Sequence, residues 1–208
     1  RYLAYAVDTN GSEIFTLRVR DLDGGEDLPD AIENVSGGFE WANDSCTLFY
    51  TILDDNHRPC AVRRHQLGEA VGEDGEVYRE ADPGFFVSIG KTESQRFLVI
   101  DAHDHQTSEA WVLDADDLSG NWRLIAKRDI GHEYEISDWH GAFLIRTNDA
   151  GAEDFKIVTT PYDKPGRENW SEVVAHEPGR LILGLQAFKN FWVRLERVNA
   201  LPRLIVTD

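Results

Sequence analysis

The side chains able to do chemistry are few and weakly clustered. In "DAHDHQTSE", Asp101, His103, Asp104 and His105 fall within five residues. Imidazoles and carboxylates at that density suit a divalent metal. The same text has the composition of a polar hairpin loop, and no second His or Cys cluster shares its spacing, so a solvated loop is the expected reading. "GHEYE" offers His132, Glu133 and Glu135 as groups that could face a cavity; at the start of a strand they are expected to form a turn instead. "VRRHQ", with Arg63, Arg64 and His65, is the one dense basic spot. It lacks aromatics at the spacing on which bases would stack. No Gly-x-Ser-x-Gly elbow, the strained turn that exposes a catalytic hydroxyl, occurs anywhere. The sequence therefore assigns no catalytic residue, no cofactor-binding residue and no metal ligand.

The elements that would position such groups repeat. "YLAYAVD", "TLFYTIL", "RFLVIDA", "AFLIRTN" and "NFWVRLE" align on Leu3, Leu48, Phe97, Phe143 and Phe191, in steps of 45, 49, 46 and 48. An independent register on Thr16, Ala61, Ala110, Lys156 and Arg203 steps by 45, 49, 46 and 47. Asn121-Trp122 and Asn169-Trp170 add a third, 48 apart. Between the runs lie turn-forming stretches such as "DTNGSE", "LDDNHRP" and "NDAGAED". A period near 47 accommodates four short strands with their turns. Runs apolar on both faces require each sheet to be covered on both sides, as in radially stacked blades, whereas a two-sheet sandwich leaves one face of each sheet wet. The fold class expected is all-β, a partial, open β-propeller of about four and a half four-stranded blades. About 18 strands fall into segments 1–32, 33–82, 84–130, 132–178 and 179–208 of one domain. Neither a Trp-Asp signature nor repeated kelch glycines mark it. The six Trp residues, at 41, 111, 122, 139, 170 and 192, are expected to pack between blades.

Composition bounds the partners. With 38 acids against 21 bases the formal net charge is −17, which disfavours nucleic acid and anionic membranes and favours cationic ligands. No apolar run reaches the roughly 18 to 20 residues of a membrane helix, and no signal peptide is visible. There is no Met, so Arg1 is not expected to be a natural start, and the chain reads as a piece of a longer protein. Cys46 and Cys60 are the only cysteines. A hairpin turning near Asp55 would pair Cys46 with about His65 and Cys60 with about Thr51, some 16 Å apart along the strands, so two free thiols are expected. Asn10, Asn34, Asn43 and Asn169 open Asn-x-Ser sequons, although Asn and Ser are also turn residues.

A family resemblance then emerges. "DLPDAIENVSGGFEWANDSCTLFY", "RRHQLG", "SEAWVLDADD", "GHEYEISDWHGAFLIRTNDAGAEDFKIVTTP" and "RENW" resemble, in collinear order over essentially the whole chain, the propeller of the oligopeptidase B branch of the prolyl oligopeptidase family of serine peptidases. The resemblance implies seven blades in the whole propeller. It implies a C-terminal α/β-hydrolase domain as intramolecular partner, short cationic peptides cleaved after Arg or Lys as substrates, and a cytoplasmic location. It also accounts for the missing nucleophile, since the triad belongs to the hydrolase domain. By this reading the chain alone is not an enzyme, and it caps the active site and filters substrates by size. Its uncovered end blades are expected to self-associate. The alternative is a stand-alone scaffold that binds a peptide or protein.

Overall fold

The computed structural model describes residues 1–208. Seventeen β-strands account for nearly all regular structure, with three single 3₁₀ turns at 71–73, 149–151 and 167–169. Strands β1 (Tyr2–Val7), β2 (Phe15–Asp21), β3 (Asp27–Trp41), β4 (Thr47–Leu53), β5 (Pro59–Gln66) and β6 (Gly75–Arg79) form one sheet in chain order. A second sheet has the order β10-β9-β8-β7, from β7 (Phe86–Lys91), β8 (Phe97–His103), β9 (Ser108–Asp114) and β10 (Arg123–Leu124). The third runs β11 (Tyr134–Trp139), β12 (Ala142–Thr147), β13 (Lys156–Pro161), β14 (Ser171–Val174), and the fourth runs β15 (Arg180–Ala187), β16 (Trp192–Val198), β17 (Leu201–Thr207). Every described pairing is antiparallel. No helix is long and apolar enough to cross a membrane.

The turns are built on aspartates. Asp8 accepts from the backbone N–H groups of Asn10, Gly11 and Glu13; Asp54 accepts from Asn56 and Arg58, and Asp104 from Gln106 and Thr107. These donations, led by Asn10, Arg58 and Gln106 respectively, hold the three carboxyls below the usual range. Much of the acidity is thus turn chemistry that also terminates strands.

Seventeen strands rather than eighteen arise because β3 serves twice. Its first half pairs with β2 (Leu17 opposite Ile32) and its second with β4 (Trp41 opposite Leu48), across a register shift between Val35 and Phe39. Asn34 (φ 61°) and Gly37 (φ 88°) make the bend. A Cβ at Gly37 would lie 3.2 Å from the Phe15 ring, and with the positive φ any side chain there would be strained.

Two compact units divide the chain: Arg1–Gly90 with Leu98–Ala102 and Asp114–Gly120, and Lys91–Phe97 with His103–Leu113 and Asn121–Asp208. The first centres on Ala4, Leu17, Val19, Ile32, Val35, Leu48 and Tyr50, all buried. In the second, Leu144, Ile157, Ile182, Ala187 and Trp192 form a buried cluster.

The β4–β5 hairpin differs from the sequence reading by two residues. Leu48, not Cys46, lies opposite His65, and Thr51 pairs with Val62. A slip of two leaves every side chain on its own face, so the alternation pattern cannot detect it. The cysteines stay apart and both are free. Titration of the denatured chain without reductant is expected to count two thiols; a count of zero would contradict the fold.

Candidate functional site

His65 sits at the first of two polar centres. Along β5 adjacent side chains point to opposite faces, and the basic spot read from "VRRHQ" is therefore divided. Arg63 donates to the Asp74 carbonyl, Arg64 is partly exposed, and His65 is wholly buried. The His65 ring lies between two buried carboxylates, with Nδ1 2.8 Å from Asp74 Oδ1 and Nε2 2.9 Å from Asp30 Oδ1. Tyr50 donates its hydroxyl to Asp74 Oδ2 (2.7 Å), and the Gly68 N–H donates to Asp30 Oδ1 (2.7 Å). Burial works against a charged ring, but the hydrogen bonds to the Asp74 and Asp30 carboxylates outweigh it and raise the His65 pKa. Asp30 is likewise penalised by burial, and the Gly68 N–H and His65 together hold it low. Tyr50 is raised by burial and by Asp74. The arrangement is a buried Asp–His–Asp hydrogen-bonded cluster whose polar partners are satisfied.

The second centre gathers the segments that carry the family resemblance. His132 is buried, 2.9 Å from Thr147 Oγ1, and its ring packs 5.3 Å from Tyr134 and 5.9 Å from Trp170. Burial, aided by the Arg167 charge, lowers its pKa, so the ring is neutral near pH 7. The four residues of "RTND" each hold a different neighbour. Arg146 lies over the Phe155 ring at 4.0 Å and 3.5 Å from Glu135. Thr147 meets His132, and Asn148 bridges the Glu133 N–H and the Gly131 carbonyl. Asp149 pairs with Arg167 and, at 3.7 Å, with Lys156. From "RENW", Arg167 reaches Asp129 at 3.6 Å, and Trp170 donates to the Pro165 carbonyl. His132, Glu133 and Glu135 thus anchor a strand start.

Asp101 and His103 lie in β8, and Asp104 and His105 in the loop that joins it to β9. Asp104 is engaged in its own turn, and no three His, Cys, Asp or Glu side chains are placed to hold a metal. Asp30 and Asp74, the partners that give His65 its character, went unnoticed in the sequence because they lie 35 and 9 residues away from it.

The family profile described as "Prolyl oligopeptidase, N-terminal beta-propeller domain" matches residues 1–208. Dipeptidyl aminopeptidase BI of Pseudoxanthomonas mexicana is 37% identical over 207 residues, 99% of this chain and 28% of the relative. Protease 2 of Moraxella lacunata is 31% identical, over 98% of this chain and 29% of the relative. The chain thus spans under a third of the length of either. Among solved structures, oligopeptidase B from Leishmania major superposes with a TM-score of 0.92 at 25% identity, over 99% of this chain and 29% of that one. Oligopeptidase B from Trypanosoma brucei, in a closed form with covalently bound antipain, gives 0.89 at 27% identity over the same shares. The four antiparallel sheets are accordingly those of a partial β-propeller, and the chain belongs to the prolyl oligopeptidase family as its N-terminal propeller domain.

Proposed function

We propose that this propeller caps and filters the active site of a cytoplasmic serine oligopeptidase that cleaves short peptides after Arg or Lys. The observation that carries the reading is the family match over residues 1–208 together with the likeness to oligopeptidase B at a TM-score of 0.92. The blade segments are 1–32, 33–82, 84–130, 132–178 and 179–208, and an α/β-hydrolase domain of the same polypeptide supplies the triad. There a serine oxygen attacks the carbonyl carbon after the basic residue while a histidine takes its proton. Oxyanion-hole donors hold the developing charge, the amine leaves with that proton, and a water molecule then hydrolyses the acyl-serine to free the enzyme. The enclosing propeller admits short peptides and excludes folded proteins. The net charge of −17 draws cationic peptides toward it.

Assay of the full-length protein on peptides with Arg, Lys, Pro or Ala before the scissile bond tests this reading. Arg and Lys substrates are expected to exceed the others in kcat/KM by at least about tenfold, roughly what one well-matched side-chain pocket provides. A serine-directed acylating reagent is expected to abolish turnover, and the 208-residue chain alone is expected to show none. A preference for Pro overturns the reading. Release of N-terminal dipeptides would favour a different reading, a dipeptidyl aminopeptidase, which rests on the 37% identical relative of that name.

The chain by itself is proposed to self-associate. On β17, Leu201, Leu204 and Val206 are 65%, 71% and 60% exposed, and exposed apolar strand edges invite pairing. Light scattering of the 208-residue chain at tens of micromolar is expected to show dimers or larger species; a monodisperse monomer contradicts this.

A further inference from the structure

Residues 67–74 join β5 to β6 and include the 3₁₀ turn at 71–73. Gly68, Glu69, Ala70, Gly72 and Glu73 are exposed. Within the segment the Glu69, Glu73 and Asp74 N–H groups donate only to carbonyls three residues back. Its anchors to the neighbouring strands are therefore few. The Gly68 N–H donates to Asp30 of β3, Asp74 accepts from Tyr50 of β4 and lies against His65 of β5, and Arg63 donates to the Asp74 carbonyl. The Leu67 N–H donates to the Cys46 carbonyl. Leu67 and Val71 pack, partly buried, on the core around Leu17, Ile32 and Leu48. Both carboxylates that tether the segment share one ring, His65. Each ring nitrogen meets a carboxylate oxygen, at 2.8 and 2.9 Å. An ionised carboxylate only accepts, so this closed arrangement requires a proton on each nitrogen.

We propose that the Asp30–His65–Asp74 cluster is a proton-operated latch on residues 67–74, closed while His65 carries both ring protons and open once it loses one. Whichever nitrogen loses its proton then aims a lone pair at a buried carboxylate oxygen, and two carboxylates are left with one ring donor between them. The segment moves to relieve this, because Asp74 belongs to it and Asp30 is bridged to it by Gly68, whereas β3, β4 and β5 are held by their ladders. Asp74 and Asp30 are the charges that act on the ring. Burial and Asp74 keep the Tyr50 hydroxyl protonated well above the ordinary tyrosine value, so its bond to Asp74 does not change over the same range. Asp74 also borders a cleft of about 240 Å³ with Arg64, Glu69 and Glu73, which brings solvent to the latch. A histidine pKa raised in the closed form favours closure at low pH, and the latch weakens as pH rises through that raised value. The opening is local, leaving the rest of the first unit folded, and the assignment is independent of the peptidase reading.

Methyl NMR of the full-length protein with labelled leucine and valine tests this, with pH raised from about 6 to about 10, a range that extends well above the ordinary histidine value of about 6.5. The Leu67 and Val71 signals are expected to move together toward solvent-exposed positions with one midpoint, while Val19 and Leu144 keep their folded positions. Asp30→Asn leaves an acceptor for the Gly68 N–H but removes one carboxylate, and is expected to lower the midpoint by at least about one pH unit. Tyr50→Phe keeps the packing and strips Asp74 of its second donor, so the ring holds its protons more tightly and the midpoint is expected to rise. Leu67 and Val71 signals that stay fixed across the range overturn the latch. So does movement of Val19 in step with them, which marks unfolding of the whole unit. An unchanged midpoint in either variant that folds also overturns it, because the titrating group is then not His65 between its two carboxylates.

Discussion

Replacing His65 with Leu is expected to cost about 3 to 5 kcal/mol of stability, the range seen when one member of a buried ion pair is removed. The ring is wholly buried between Asp30 and Asp74, themselves nearly inaccessible, so leucine leaves two carboxylates in the interior without their donor. The cost follows from stranding charge rather than from lost packing volume. Adding Asp30→Asn and Asp74→Asn to the same variant is therefore expected to recover part of it. The effect also depends on pH in a direction fixed by linkage. The pKa of His65 is raised in the folded chain. Its contribution is complete below the unfolded value of about 6.5 and fades as pH rises through the folded value. Asp30 is held low; its contribution is present above an unfolded value of about 3.9 and is lost as pH falls through the folded one. Urea unfolding should show the largest gap between wild type and His65→Leu from roughly pH 4 up to the raised histidine value, with the gap narrowing at higher pH. A gap that widens steadily toward alkaline pH would mean that the folded ring is neutral throughout.

Phe143→Ala is expected to have the next largest effect, also about 3 to 5 kcal/mol, the usual cost of emptying a buried aromatic site. Phe143 is fully buried and forms a triangle with Phe97 and Tyr162, with centroid distances of 4.9, 4.9 and 4.8 Å. Arg96 covers the Tyr162 ring at 4.8 Å, and the Tyr162 hydroxyl donates to Asp138 Oδ2 at 3.0 Å. Burial first, and the Asp138 charge second, push the Tyr162 phenol up to about 12. Removing the Phe143 ring admits water beside the phenol, so its pKa should fall toward the ordinary value of about 10. Thermal unfolding reads the first effect and phenolate absorbance during alkaline titration reads the second. A loss below about 1 kcal/mol with an unmoved tyrosine would show that neighbouring side chains close over the site.

The sequence by itself determined the all-β class, the repeat and the free thiols. Strand periodicity and turn chemistry are local: an apolar run with both faces hydrophobic requires cover on both sides, and Asp8, Asp54 and Asp104 cap turns within five residues of themselves. The absence of a nucleophile elbow was equally a matter of reading five consecutive residues. Partnership across the sheet was decided only by the tertiary structure. Alternation assigns a side chain to a face, but a register shift of two preserves that face, so the β4–β5 pairing lay beyond the pattern. The bend at Asn34 and Gly37 that lets β3 pair first with β2 and then with β4 depends on the Phe15 ring against which it packs. Arg63, Arg64 and His65 read as one basic spot because charge was counted along the chain. Folding turned His65 inward to Asp30 and Asp74, contacts that local composition does not encode because loop closure and burial bring them together.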